Sequence, residues 1–507
     1  MEDLSKKKSL IILICIGLLV IGCSVVEAYP PYTKINNVNS SFFSSNQGII
    51  KKINEDLRYA PSAAGGQKYY VCDTGDDNNS GLSEEFPFKT HYKAMEVFGT
   101  VDAGGSVLFC RGGVFQVTAG RAIDNMACNI SAPCTLADYG DPSAKRPLIV
   151  DDGSNINPIW FADGGKKSPD GGYIVKNLML VSTGGSAVGV FLYRGVNNIV
   201  FDNILIDGFR LGVQIAGGSV HNVTLRNSVV RRSRGQGILG ACDDCLFEGN
   251  YFENNGSTRF HHNIYLSSND DPLVTNMVVK GNTLYKSAID TDGSCVGVSL
   301  GAHGKFEGLT IENNYIKEDI GKVKGGCYGI SIDPGYAYEE FFRNVLIRGN
   351  VLLNVGGNAI GCASCDGVVI ENNIIIGTDP ALVHGISVPV SAEDSVKSRG
   401  VVIQNNKILL GRDWNQSSGI RVLSSMTVVN NAINLPDYPL GMCVRDLDEN
   451  IDIGPSSNTC TSTVSASTIG AFAEQMLKDA FGEITPEEIT PEEITPEEIT
   501  PEEITPE

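Results

Sequence analysis

A short phrase recurs along the chain and leaves it little choice of fold. Two or three alternating apolar residues lead into Asn, and another apolar pair follows. It reads YIVKNLML, IVFDNILI, VTLRNSVV, CLFEGNYF, MVVKGNTL, LTIENNYI, VLIRGNVL, VVIENNII, VVIQNNKI and MTVVNNAI, with Asn at 177, 203, 227, 250, 282, 314, 350, 373, 406 and 431. The steps between these Asn residues never fall below 23. A second phrase of Gly plus alternating apolars lies between the copies: VGVFL, LGVQI, QGILG, HNIYL, VGVSL, YGISI, HGISV and SGIRV. Period-two alternation rich in Val and Ile reads as short strands. Three such strands per coil of roughly two dozen residues is the arithmetic of an all-β solenoid, a parallel β-helix. Asn at a bend can ladder onto its neighbours in the next coil and satisfy backbone groups there.

The repeat resembles the right-handed, single-stranded parallel β-helix family of pectate lyases, polygalacturonases, alginate lyases and mannuronan epimerases. The opening Tyr69-Tyr70-Val71 followed by DTGDDNNSGLSEEFPFKT is similar to the entry segment of many secreted members. GGSVLFCRGGVF and ISAPCTLADYGDPSAKRPLIVDDG match the next two landmarks. The resemblance covers roughly residues 66 to 442 and implies the fold; the scaffold carries many chemistries.

The resulting organisation is a leader at 1–22, a linker at 23–65, the β-helix at 66–442, a C-terminal loop and capping helix at 443–482, and a disordered Pro/Glu/Ile/Thr repeat at 483–507. Lys6, Lys7 and Lys8 precede an apolar run from Leu10 to Ile21, which suits an export signal. Val20-Ile21-Gly22-Cys23 resembles a lipobox, with lipid on Cys23; a cut after Ala28 is the alternative. An uncleaved anchor is the third reading; all three place the body outside the cytoplasm, and in the lipobox reading it touches a membrane only through the lipid. Residues 464 to 481 read as one amphipathic helix placed to cap the last coil. The formal net charge is −20, and ten Glu stand in the last 27 residues without a base. The body is still acidic, which argues against a nucleic-acid partner. The expected partner is an acidic polysaccharide, bound by a monomer.

Apart from Cys15 and Cys23 the chain has twelve Cys, an even number suited to an oxidising compartment. Cys72 and Cys110 stand in the first two strand phrases, and Cys128 and Cys134 flank a short loop. Cys295 and Cys327 occupy one column on neighbouring coils, while Cys443 and Cys460 would close the C-terminal loop. Cys242/Cys245 and Cys362/Cys365 form two C-x-x-C pairs, too many coils apart to share a zinc ion, and structural disulfides are expected. Asp73, Asp76, Asp77 and Asn79 crowd one loop with Gly75 and Gly81, an arrangement that could take calcium.

The long steps end at Asn282, Asn314, Asn350 and Asn406, so the inserts form loops on a rigid scaffold. Aligning the Gly phrases there points Tyr265, Ser299 and Ser331 outward on successive coils, with Ser267, Gly301 and Asp333 two positions on. Arg259, His261 and His262 lie just upstream, and His303 and Lys305 just downstream. Three of the six His thus fall on adjacent coils, and His384 on a distant coil reads as structural. β-Elimination or C5-epimerisation of a uronate needs a base, a cation for the carboxylate and an acid for the leaving oxygen. His262 or His303, Arg259 or Lys305, and Tyr265 with Asp333 supply those types, so the expected activity is a lyase or epimerase. The epimerase Asp-Pro-His signature is reduced here to Asp333-Pro334-Gly335. A non-catalytic carbohydrate-binding or adhesin-like surface protein is the rival. Glycoside hydrolysis, drawing on Asp290, Asp292 and Asp333, is the third reading.

Overall fold

The computed structural model describes residues 66–481 apart from 166–169, 269–272, 337–338, 379, 412–416, 436–441 and 463–468. Cys23, the linker and the 483–507 repeat lie outside the described residues. The strands form three long parallel sheets, called A, B and C here, and each coil visits them in that order. One coil runs Asn197–Asp202 in A, Leu205–Asp207 in B and Leu211–Ala216 in C, before His221–Arg226 returns to A. This is the expected right-handed parallel β-helix. Alternation sends every second side chain inward, where Phe161 of sheet C meets Tyr173 of sheet A with ring centroids 4.6 Å apart and Phe306 stacks on Phe342 of the next rung at 6.0 Å.

The A-to-B corner holds two Asn columns where the repeat phrase shows one. The first is left-handed backbone at Asn177, Asn203, Asn227, Gly249, Gly281, Asn313, Gly349, Asn372, Asn405 and Asn430, each with φ between 50° and 65°. Gly and Asn are the residues that tolerate this region. The second column, one residue later, is buried. It contains Asn250, Asn282, Asn314, Asn350, Asn373, Asn406 and Asn431. Each of these donates both its backbone N–H and its Nδ2 to the Oδ1 of the next coil's Asn, at 2.8–3.0 Å, and Asn458 ends the run. Nδ2 also reaches a backbone carbonyl, as from Asn282 to Phe247 at 2.9 Å. Asn177, Asn203 and Asn227 therefore belong to the turn column and not to the ladder. In their coils the ladder slot holds Leu178, Ile204 and Ser228, all buried.

Helix α1, His91–Phe98, follows the first strand; Thr90 caps it by accepting the Lys93 N–H, and Ala94, Met95 and Phe98 are buried. Helix α2, Ile469–Phe481, is where the amphipathic pattern placed it, but it does not close the last coil. Its Ala473 and Met476 pack on Ile376 and Leu409, beside Leu353 and Ile374, on the outer face of sheet B. Leu353, Ile376 and Leu409 are consecutive rungs of one outward apolar column, and the apolar stripe of α2 covers it. The coils also continue past 442: Met442–Asp446 extends sheet C and Thr459–Thr461 extends sheet B. All six expected disulfides form: Cys72–Cys110, Cys128–Cys134, Cys242–Cys245, Cys295–Cys327, Cys362–Cys365 and Cys443–Cys460.

Candidate functional site

Register decides which side chains share the outer face of sheet C. Tyr265 pairs with Gly301, Gly301 with Ser331 and Ser331 with Gly361; Ser267 pairs with His303. The alignment of Gly phrases had put Ser299 beside Tyr265. Ser299 instead precedes the strand and is fully buried, because Leu300, and not Val298, takes the place opposite Ile264 in the strand Leu300–His303. The two-residue shift sets His303 directly beside Ser267. It also leaves a glycine beside Tyr265, where an added Cβ would lie 3.6 Å from the Tyr265 ring and 4.0 Å from the His262 ring.

His262, Tyr265, His303 and Asp333 do come together. The His262 and Tyr265 rings are 4.9 Å apart, and those of Tyr265 and His303 5.4 Å. His262 Nδ1 bonds the Val298 carbonyl at 2.9 Å, and His303 Nδ1 bonds the Asp333 carbonyl. A carbonyl can only accept, so Nδ1 carries a proton in each ring. Burial pushes the His262 imidazole down to about 3, so it is neutral at physiological pH. Asp333 Oδ1 accepts from Ser331 Oγ at 2.9 Å.

Three further residues complete the cluster. The Tyr336 hydroxyl meets the Tyr265 hydroxyl at 3.0 Å and Ser267 Oγ at 2.5 Å, and its ring lies 5.8 Å from His303. Burial raises both phenols above their ordinary range. Glu340, 3% exposed, accepts the backbone N–H groups of Gly304, Gly335 and Tyr336. It thereby fixes the turn that carries Tyr336 back over sheet C. Burial raises the Glu340 carboxyl, against the pull of those N–H groups and of His303. The insert DPGYAYEEFF announced a loop, but not that Tyr336 would reach two coils back.

The two expected cations are not brought into this cluster. The exposed Arg259 guanidinium stacks on Phe260, itself 61% exposed, at 4.7 Å. Lys305 lies beyond the Gly304 corner in sheet A, its N–H donating to Ser268 Oγ at 2.7 Å. Asp290 and Asp292 are held by Lys324 at 2.5 and 2.8 Å. His384 is buried and bonds Ser418 Oγ at 2.7 Å, a structural role. The Asp73–Asn79 loop, where calcium was expected, is braced by hydrogen bonds of its own side chains. Asp77 accepts from Lys89 and Thr90, Asp76 from Asn78 and Asp73 from Val114, and Asn79 Nδ2 donates to the Pro87 carbonyl. Among the described residues, the groups of three or more His, Cys, Asp or Glu ligand atoms within 4.8 Å of one another are Cys72–Asp73–Cys110 and Cys295–Glu318–Cys327, whose cysteines are in disulfides.

Further toward the N-terminus the same face carries an aromatic strip that the repeat phrases do not distinguish from core. Trp160 stacks on Phe191 at 6.1 Å, Phe191 lies 5.6 Å from Tyr193, and Arg194 covers Tyr193 at 4.9 Å.

The family profile described as a right handed beta helix region matches residues 175–433, just over half of the chain. A lacto-N-biosidase of Bifidobacterium longum subsp. longum is 26% identical over 342 residues, which is 62% of this chain and 20% of the relative. The chain thus spans about a fifth of the length of the curated relative it matches. Among solved structures, the complex of XylC with xylose superposes with a TM-score of 0.51 at 9% identity, covering 78% of this chain and 86% of that one. A lacto-N-biosidase from Eubacterium ramulus gives 0.46 at 15% identity, covering 77% and 70%.

Proposed function

The chain belongs to the right-handed parallel β-helix family, and on that premise we propose that it is an exported carbohydrate-active enzyme that cleaves a glycosidic bond on the outer face of sheet C. One observation carries the reading: Asp333, His303, His262 and the Tyr265–Tyr336–Ser267 hydroxyl chain gather on adjacent coils. Hydrolysis is the first assignment. The curated relative is named a biosidase, and neither Arg259 nor Lys305 joins the cluster to neutralise a uronate carboxylate, as elimination requires. Asp333 is the carboxylate that activates water, and His303 with the tyrosine pair hands a proton to the leaving oxygen. Glu340 is a positioning residue for Tyr336.

A lyase or epimerase is the second reading, since His262 lies beside the Tyr265 ring and both are residue types that elimination uses. In either case the protein is exported, held by lipid at Cys23 or released after Ala28. The test incubates the full chain with neutral and acidic oligosaccharides and follows reducing ends and the ultraviolet absorbance of an unsaturated product. Reducing ends alone, lost in Asp333→Asn, support hydrolysis. Both signals, lost with His262→Ala, support elimination. Binding without either signal, unchanged in both variants, moves the protein to the adhesin-like reading.

A further inference from the structure

The outer column of sheet C that starts at Tyr265 ends in two arginines. From Gly361 the register passes to Ser387, then Arg421, then Arg445 on the last strand. Between Tyr265 and Arg421 the column carries only Gly301, Ser331, Gly361 and Ser387, so no large side chain of sheet C itself separates the two ends. Five rungs at ~4.8 Å put them about 24 Å apart.

Both arginines are half-buried, and neither has a carboxylate partner among the described residues. Arg421 Nε donates to Ser387 Oγ at 2.6 Å, and Arg445 Nε to Asn450 Oδ1 at 2.9 Å; both acceptors are neutral. The nearby acids are spent elsewhere. Asp452 accepts the N–H groups of Cys443, Val444 and Gly454; Asp446 accepts from Ser424 Oγ; Asp448 pairs with Lys397 at 3.1 Å. The titratable groups acting on Arg421 are the Tyr328 phenol and the Arg445 guanidinium, and burial lowers its proton affinity further. Two adjacent guanidinium groups in a body of net negative charge, facing outward without a carboxylate partner among the described residues, are a site for an anion. Planar guanidinium suits a carboxylate or sulfate through paired N–H donors.

We propose that Arg421 and Arg445 form an anion-recognition subsite for the carboxylate or sulfate ester of an extended glycan lying along sheet C. The subsite adds to the proposed function but does not rest on the cleavage chemistry, since it is read by binding. A ligand that touches both ends of the column has to be an oligosaccharide.

The test measures binding to the full chain by calorimetry, with the Asp333→Asn variant used in parallel to keep the ligand intact. Three oligosaccharides of equal length are compared: one uronate, one sulfated and one neutral. The uronate or the sulfated ligand, whichever source is correct, should bind at least about tenfold more tightly than the neutral one, as charge-assisted bidentate contacts do. That advantage should shrink with added salt, vanish in Arg421→Gln/Arg445→Gln, and survive in part in Arg421→Lys/Arg445→Lys. Equal binding of all three ligands overturns the subsite, as does an advantage that persists in the double Gln variant, or no binding of either acidic ligand. Unchanged thermal melting of the variants separates a lost contact from a lost fold. Cleavage of a neutral glycan with no preference for acid would sink the subsite and leave the proposed reaction standing.

Discussion

The coils before Asn250 and those after it solve the same corner in different ways. Early coils fill the ladder slot with Leu178, Ile204 and Ser228. Late coils fill it with Asn and stitch each coil to the next through two hydrogen bonds per rung. The early coils also step by 23 to 26 residues, whereas the late ones include steps of 32, 32, 36 and 33. The inserts, and with them His262, His303, Asp333 and Tyr336, sit in the laddered half. Leu178 and Ile204 bring no polar side chain to the corner and hold it through packing, whereas Ser228 begins the bonding, its Oγ accepting the Ile204 N–H at 3.1 Å and its N–H donating to Asn250 Oδ1 at 3.0 Å. A buried amide holds it by directional bonds whose loss strands donors. The comparison teaches that long loops were added where the corner opposite them is locked in register.

The sharpest way to break this comparison is catalytic. Asp333→Asn or His303→Gln should lower turnover about 10²- to 10⁴-fold, the range typical of general acid–base groups. Trp160→Ala on the aromatic strip should change turnover less than threefold or so and act mainly on KM, since an aromatic face stacks on substrate without joining the chemistry. Equal losses on both strips would erase the functional division between the halves.

Next comes stability. Asn314→Leu strands the N–H and Nδ2 of Asn282 and should cost about 3 kcal/mol, a full buried-donor penalty. Ile204→Val in the apolar slot should cost about 1 kcal/mol. Denaturant midpoints of the two variants check the difference.

Each half also buries an acid whose carboxyl is pushed well up. Burial pushes Glu318 from 4.5 to about 8 and Asp170 from 3.8 to about 7. A carboxyl raised in the folded state holds its proton after the unfolded chain has lost it. Its stabilisation is therefore complete below the ordinary value and is lost as pH rises to the folded value. Wild-type stability should fall between pH 4.5 and 8 through Glu318 and between 3.8 and 7 through Asp170. Glu318→Gln and Asp170→Asn should each flatten their own window, by up to about 4 kcal/mol. Melting across that pH range reads both. The smallest effect is expected from Met476→Ala, about 1 kcal/mol, because α2 covers only one outer column of the laddered half.

The sequence made the solenoid, the six disulfides and the neighbourhood of His262, Tyr265, His303 and Asp333 legible, because each is a matter of period and proximity along neighbouring coils. It merged two Asn columns, since a left-handed turn residue and a ladder residue are the same letter one position apart. It shifted the Gly301 coil by two, because the strand Leu300–His303 begins at the last residue of its phrase and not at Val298. It overlooked Tyr336 and the outward Arg421–Arg445 pair, which depend on how a loop folds back and on register carried across several coils. It placed α2 at the open end because the apolar stripe does not say which apolar surface it meets.

The disulfides have a mechanical consequence. Each closes within one coil or between neighbours, the widest spanning 38 residues and the next 32. No described disulfide crosses the coils far enough to clamp the two ends of the solenoid together. Tension applied along the chain would peel coils off singly, each of about 24 residues releasing roughly 80 Å of contour. The segments inside Cys72–Cys110 and Cys295–Cys327 would be withheld from that extension. Such a molecule stretched between a surface and a ligand yields in measured steps, and its cystines set which steps are missing.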